Sequence, residues 1–205
     1  MNALSIEQIQ YRLCLYDRLH YSTKFCPNSK THRFQALLRK QRDLASHAMK
    51  EKTSANTIIL PILVDGIIGL ISILNFCSRN VTEAFMADGI ADETDLYAAA
   101  IHSAALSRLS TNPNLLGTPR DMWKVEVLCM EMLGIYVRQF WARWNPSDPI
   151  INHAIEVRIE ALEKQTILDS HRNVNLPGHP FRLINPTTTN VVRSFPWKAI
   201  SVKKL

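Results

Sequence analysis

The stretch from Thr57 to Cys77 constrains this chain more than any other. Within it Asp65 is the single ionised side chain, set among Ile, Leu and Val, with Gly66 and Gly69 inside and Pro61 placed for a first helical turn. A bilayer span needs about 20 apolar residues, so the length suits a membrane, but an acid near the centre of a span costs roughly 3 kcal/mol. At 100° per residue Asp65, Gly69, Ser72 and Arg79 fall on one narrow stripe, the mark of a central helix in a bundle whose neighbours meet its small and polar side. The run is therefore read as the core helix of an all-α domain. An integral membrane protein built on residues 57–77 is the lesser reading.

The surrounding sequence supplies helices to cover such a core. Ser5 followed by Gln8 resembles a capping box, and Ile6, Ile9, Leu13 and Tyr16 recur at helical spacing, which predicts a helix over 5–20. Thr31 is placed to cap a second helix ending at Lys50. A short helix is expected over Val81–Asp88, and an alanine-rich one follows from Asp92 to Leu109. Asp88, Asp92, Glu93 and Asp95 gather between these two; their spacing is not that of a calcium loop, and acids at a helix start act as caps. Thr118-Pro119-Arg120-Asp121 predicts a helix start with Thr118 as cap, and the pattern runs to Trp144 as a second central helix with Lys124, Glu131 and Arg138 repeating every seventh residue. The turn 145–149 leads into a last helix over Pro149–Leu168, packed antiparallel on its predecessor. The expectation is a single multi-helix domain of about seven helices over residues 1–170, two of them central and mostly buried.

Residues 171–205 differ in kind. Four prolines, Pro177, Pro180, Pro186 and Pro196, forbid one continuous helix or strand. Yet Leu176, Phe181, Ile184, Val191, Phe195 and Trp197 give the segment too much apolar content for a solvated linker. It reads as an extended basic tail lying on its own or a partner's surface, with short strands at Val191–Val192 and Ile200–Val202.

With only 6 glycines the chain lacks the turns an all-β fold requires. Cys14, Cys26, Cys77 and Cys129 form no C-x-x-C pair and read as reduced core thiols. Residues 1–21 interleave charges with apolar residues, unlike a secretory signal, so an intracellular, cytoplasmic protein is expected.

Charge is divided into three blocks. Residues 1–52 carry ten Lys or Arg against four acids, residues 53–170 eight against fourteen, and residues 171–205 six against none. The basic ends have an anionic partner, or they neutralise the acidic middle of the same or a neighbouring chain. The second helix puts Phe34, Leu37, Leu38, Ala45 and Ala48 on one side and Arg33, Arg39, Lys40, Arg42 and Lys50 on the other, with Asp43 the one acid among them. That cationic face suits a phosphate backbone. In the tail, Arg182, Arg193 and Lys198 alternate with Phe181, Phe195 and Trp197, a mixture that stacks on single-stranded bases or anchors in a partner's pockets.

No phosphate-binding loop, nucleophile elbow or helical metal motif is present, and no catalytic residue or cofactor is nominated. His153, Glu156 and Glu160 share a helix face, but Lys164 four residues beyond Glu160 makes it a salt-bridged surface, and no metal is assigned. The sequence thus reads as a non-enzymatic, nucleic-acid-associated binding protein, for DNA or RNA, using Arg33, Arg39, Lys40, Arg42 and Lys50 together with Arg182, Arg193 and Lys198. The alternative is an assembly subunit or homo-oligomer whose tail clasps a neighbouring chain through Phe181, Phe195 and Trp197.

Overall fold

The computed structural model describes residues 5–21, 29–86, 91–92, 94–143 and 150–172. These form seven α-helices: α1 (Ile6–Tyr21), α2 (Ser29–Lys50), α3 (Asn56–Phe76), α4 (Thr82–Phe85), α5 (Asp95–Leu109), α6 (Pro119–Trp141) and α7 (Ile150–Arg172). A 3-10 turn, Leu115–Gly117, precedes α6, and the described residues contain no strand. The tail residues Phe181, Arg182, Arg193, Phe195, Trp197 and Lys198 lie outside the described residues, as do the strands expected there.

Helices α2, α3, α6 and α5 close a ring in that order, each packing on the next. Their mutual direction follows from the side chains that bridge them. Gln41 on α2 meets Gly66 on α3, Arg79 after α3 meets Glu126 on α6, and the pairs Asp95–Arg138 and His102–Glu131 join α5 to α6. Phe34 with Phe76 gives α2–α3 a second contact and Gly66 with Tyr136 gives α3–α6 one, so residue numbers rise on one helix as they fall on the other and α2–α3, α3–α6 and α5–α6 run antiparallel. Helices α1 and α7 pack on each other and against α3, and α4 packs on α6.

The apolar run is the centre of this arrangement. By length and composition α3 is able to cross a membrane; in the fold it is covered by α1, α2, α6 and α7, and thirteen of its residues are buried. The stripe read from the sequence is distributed among those neighbours. Asp65 bonds Arg158 of α7, Gly69 faces Gln41 of α2, Ser72 is buried, and Arg79 reaches Glu83 and Glu126. The second central helix is α6, which buries Val125, Cys129, Leu133, Val137 and Phe140.

Helix ends follow local chemistry, with some departures from the sequence expectations. Ser5 and Gln8 form the reciprocal capping box: Ser5 N–H donates to Gln8 Oε1 at 2.8 Å and Gln8 N–H to Ser5 Oγ at 3.3 Å. Helix α2 starts at Ser29, so Thr31 lies inside it. Helix α3 starts at Asn56, which moves Pro61 into the second turn; the carbonyl it leaves without a donor belongs to exposed Thr57, where water serves. The helix ends at Phe76 with Cys77 as its cap, and Ser78 beyond it turns the chain with a left-handed φ of 56° while Arg79 N–H reaches back to Leu74 C=O at 3.0 Å. Thr118 occupies the cap position of α6, but its hydroxyl donates to Asn114 C=O at 3.1 Å, and Pro119 starts the helix without a side-chain cap. The acids before α5 brace the turn leading into the helix and do not cap it: Asp92 Oδ1 accepts from Thr94 N–H at 3.0 Å and Asp95 Oδ2 from Asp92 N–H at 3.3 Å, while Thr94 holds the cap position without a side-chain cap bond, and Asp88 and Glu93 lie outside the described residues. Helix α7 extends to Arg172, beyond the expected end at Leu168.

The ring closes at a point of very close approach. A Cβ on Gly66 would stand 2.5 Å from Cε2 of Tyr136, a ring that is 1% exposed, so only glycine lets α6 lie against α3 at this level. Buried Gln41 donates to Gly66 C=O at 3.4 Å, while its Oε1 and the Tyr136 hydroxyl have no hydrogen-bond partner among the described residues. Gly66→Ala is expected to lower stability by about 1–3 kcal/mol through overpacking, after any gain in helix propensity. Tyr136→Phe should be within about 1 kcal/mol of the parent or more stable, because it removes a buried hydroxyl that no described residue satisfies. Urea unfolding of both variants checks this; a large loss in Tyr136→Phe together with a neutral Gly66→Ala would refute the packing described.

Candidate nucleic-acid interface on helix α2

The face of α2 that packs inward is set by its apolar residues. Phe34, Leu38, Ala45 and Ala48 are fully buried against α3 and α5, and the Phe34 ring sits 5.1 Å from that of Phe76. Rotation by 100° per residue then turns Arg39, Lys40, Arg42, Asp43, His47 and Lys50 outward, and all six are exposed. Arg33 lies in the same helix, with its side chain outside those described. At 1.5 Å per residue the line from Arg39 to Lys50 extends about 16 Å.

Most of the other described cations are held in ion pairs or hydrogen bonds. Arg12 forms a bidentate pair with Glu163, at 2.9 and 2.7 Å, that holds α1 to α7 and raises the Arg12 pKa, with Glu160 and Glu156 adding to the effect. Arg158 grips Asp65 at 2.6 and 3.1 Å, and Arg138 bonds both oxygens of Asp95 at 3.3 Å. Lys124 pairs with Asp121 and Lys164 with Glu160. Arg143 has its pKa lowered by burial and donates to the carbonyls of Gln139 and Lys52. Arg39, Lys40, Arg42 and Lys50 form no ion pair with any described residue. The acidic middle block is engaged by other cations, chiefly its own: Arg79, Arg138, Arg158 and Lys124 serve Glu83, Glu126, Asp95, Asp65 and Asp121. The cationic face of α2 does not neutralise it within the described residues.

The other candidates separate cleanly. On α7, Glu160 lies 3.8 Å from Lys164, and no group of three metal-ligating side chains occurs among the described residues. The heptad of Lys124, Glu131 and Arg138 proves to be the edge of α6 that meets α5: Glu131 sits 3.1 Å from His102, and Arg138 binds Asp95. Although α6 is a central helix, its Trp123 is 63% exposed. It is the fifth residue of α6 and precedes the buried stretch that begins at Val125.

Two of the cysteines, Cys77 and Cys129, are held in the thiol form. Cys129 is fully buried and its pKa lies well above the ordinary thiol value; burial, with a smaller contribution from Glu126, pushes Cys77 up to about 12. The thiol, not the thiolate, is the form both residues hold at neutral pH, which is the unreactive form. No protein-family model, curated protein or solved structure matches the chain.

Two predictions follow from this geometry. Alanine at Arg39, Lys40 or Arg42 should change stability by less than about 0.5 kcal/mol, whereas Arg158→Ala or Arg138→Ala, each stranding a half-buried carboxylate, should cost about 1–3 kcal/mol. Thermal or urea unfolding of the variants measures the contrast, and equal costs in the two sets would show that the α2 cations are structural. At pH 8, iodoacetamide should modify Cys77 and Cys129 at least about 100-fold more slowly in the native protein than in urea. Mass spectrometry of the alkylated peptides reads the rates, and fast native labelling of Cys129 would contradict its burial.

Proposed function

We propose that this protein is a non-enzymatic nucleic-acid-binding protein that lays the exposed face of α2 along a phosphate backbone. The observation that carries the reading is the set Arg39, Lys40, Arg42 and Lys50: four cations on the outer side of one helix, all exposed and none in an ion pair with a described residue. Cations held in ion pairs have already exchanged their hydration for a carboxylate. Unpaired ones are free to displace condensed counterions from a polyanion, which is the main source of sequence-independent affinity. Lys52, exposed just past the end of α2, lengthens the track. Asp43, the one acid on the face, leaves a clear excess of positive charge.

The rigid ring beneath the face supports the same reading. Because α2 is clamped by α3 and α5, its cations are presented from a fixed surface, and less side-chain and backbone order has to be created on binding. Contacts of this kind position a polyanion without reading its bases.

The test is filter binding of duplex DNA and of RNA at low salt. Binding should weaken steeply with salt, and replacing one contacting cation, as in Lys50→Ala, should reduce the log–log salt slope by about 0.9 for duplex DNA. Arg39→Glu with Arg42→Glu should lower affinity at least tenfold while leaving unfolding unchanged. Retention of neither DNA nor RNA, or full binding by the double variant, would overturn the proposal.

A further inference from the structure

The outer surface between α5 and α6 carries a second feature that the α2 reading does not use. Ala105, Leu109, Val127 and Leu128 line an open groove of about 430 Å³, with the Trp123 indole as its wall and Arg108 and Lys124 at its rim. Further along the same two helices, Tyr97 is 63% exposed and Ile101 55% exposed. Tyr97, Ile101 and Arg108 recur at spacings of four and seven, so they share one side of α5. The antiparallel register set by Asp95–Arg138 and His102–Glu131 puts Tyr97 and Ile101 towards one end and Trp123 at the other. The apolar stripe runs about 16 Å along α5, close to three helical turns. Exposed aromatic and aliphatic side chains in a contiguous row mark interaction surfaces.

We infer that this groove docks an amphipathic helix of a partner protein, one whose apolar ridge is flanked by Asp and Glu. The groove between two antiparallel helices matches the shape of a third helix that inserts residues at i, i+4, i+7 and i+11. The charge of the occupant follows from the rim. Arg108 and Arg120 are exposed and form no ion pair with a described residue, while Lys124 shares the nearby Asp121 with Asn112. The end holding the Trp123 wall is therefore cationic.

That charge also argues against the other occupants. Residues 171–205 bring six Lys or Arg and no acid, so like charges would meet at the rim. A polynucleotide would meet an apolar floor in place of the cation track that α2 provides.

The experiment uses the full chain and two synthetic peptides of about 16 residues, both with Leu at the four ridge positions and with either Glu or Lys flanking them. The Glu peptide should change the tryptophan emission of the protein, a change absent in Trp123→Phe, and should bind at least tenfold more tightly than the Lys peptide. Ile101→Asp and Arg108→Glu should each weaken it at least fivefold with helical circular dichroism unchanged, while Arg39→Glu with Arg42→Glu should leave it unaltered. That last variant separates this inference from the proposed nucleic-acid function. Equal binding of the two peptides, or no binding of either, would overturn the inference. So would a concentration-dependent dimer, seen by sedimentation, that Ile101→Asp abolishes, or a Trp123-dependent emission change on adding oligonucleotide.

Discussion

The close approach of α3 and α6 at Gly66 and Tyr136 is the constraint on which the rest of the bundle depends. A Cβ at Gly66 would fall inside contact distance of the Tyr136 ring, so the glycine sets how near the second central helix can lie. Once those two helices are fixed, the space beside them determines where α2 and α5 close the ring. Gln41 settles against Gly69 and donates to the Gly66 carbonyl, which ties α2 to the same level of α3. The burial of Leu63, Ile67, Leu70, Ile71 and Leu74, each worth roughly 1.5–3 kcal/mol relative to exposure, then accrues to a helix held on several sides.

Charge is arranged around that core by a simple division. Ion pairs join elements that are distant in sequence: Arg12 with Glu163, Arg158 with Asp65 and Arg138 with Asp95 hold α7 to α1 and α3, and α5 to α6. These pairs are only partly exposed, so they are screened less than surface pairs and contribute to the register of the helices. Arg39, Lys40, Arg42 and Lys50 of α2, together with Arg108 and Arg120, form no ion pair with a described residue. Structural and unassigned charge thus occupy different parts of the surface.

How much of this was legible depended on whether a residue's role is set by its own helix or by another. The seven helices, the centrality of the Thr57–Cys77 run and the outward face of α2 follow from periodicity, and each appears in the structure. Asp65 was correctly read as the polar mark of a buried helix, but its partner Arg158 lies 93 positions away and no local pattern names it. Thr118 illustrates the opposite failure: the motif was sound, yet its hydroxyl found the Asn114 carbonyl in the preceding turn and the cap was not made. Trp123 belongs to a helix that is apolar on most sides, so its own sequence neighbours do not tell whether it is covered. The register with α5 decides which of those sides is covered, and the spacing of Tyr97, Ile101 and Arg108 was the available signal that an apolar side of α5 also faced out.

The two surfaces differ in what they ask of an occupant. The α2 face offers charge with little apolar area, so association there should respond strongly to salt and little to the shape of the partner. The α5–α6 groove offers apolar area with charge at one end, so its energetics should come from burying Trp123, Ile101 and Tyr97, with Arg108 and Lys124 selecting the partner's sign. In the ring, α2 borders α5 and α3 but makes little contact with α6, so a helix seated between α5 and α6 does not cover the outward cations of α2. Occupation of one surface would therefore leave the other open, so the two proposed contacts do not compete for the same part of the bundle.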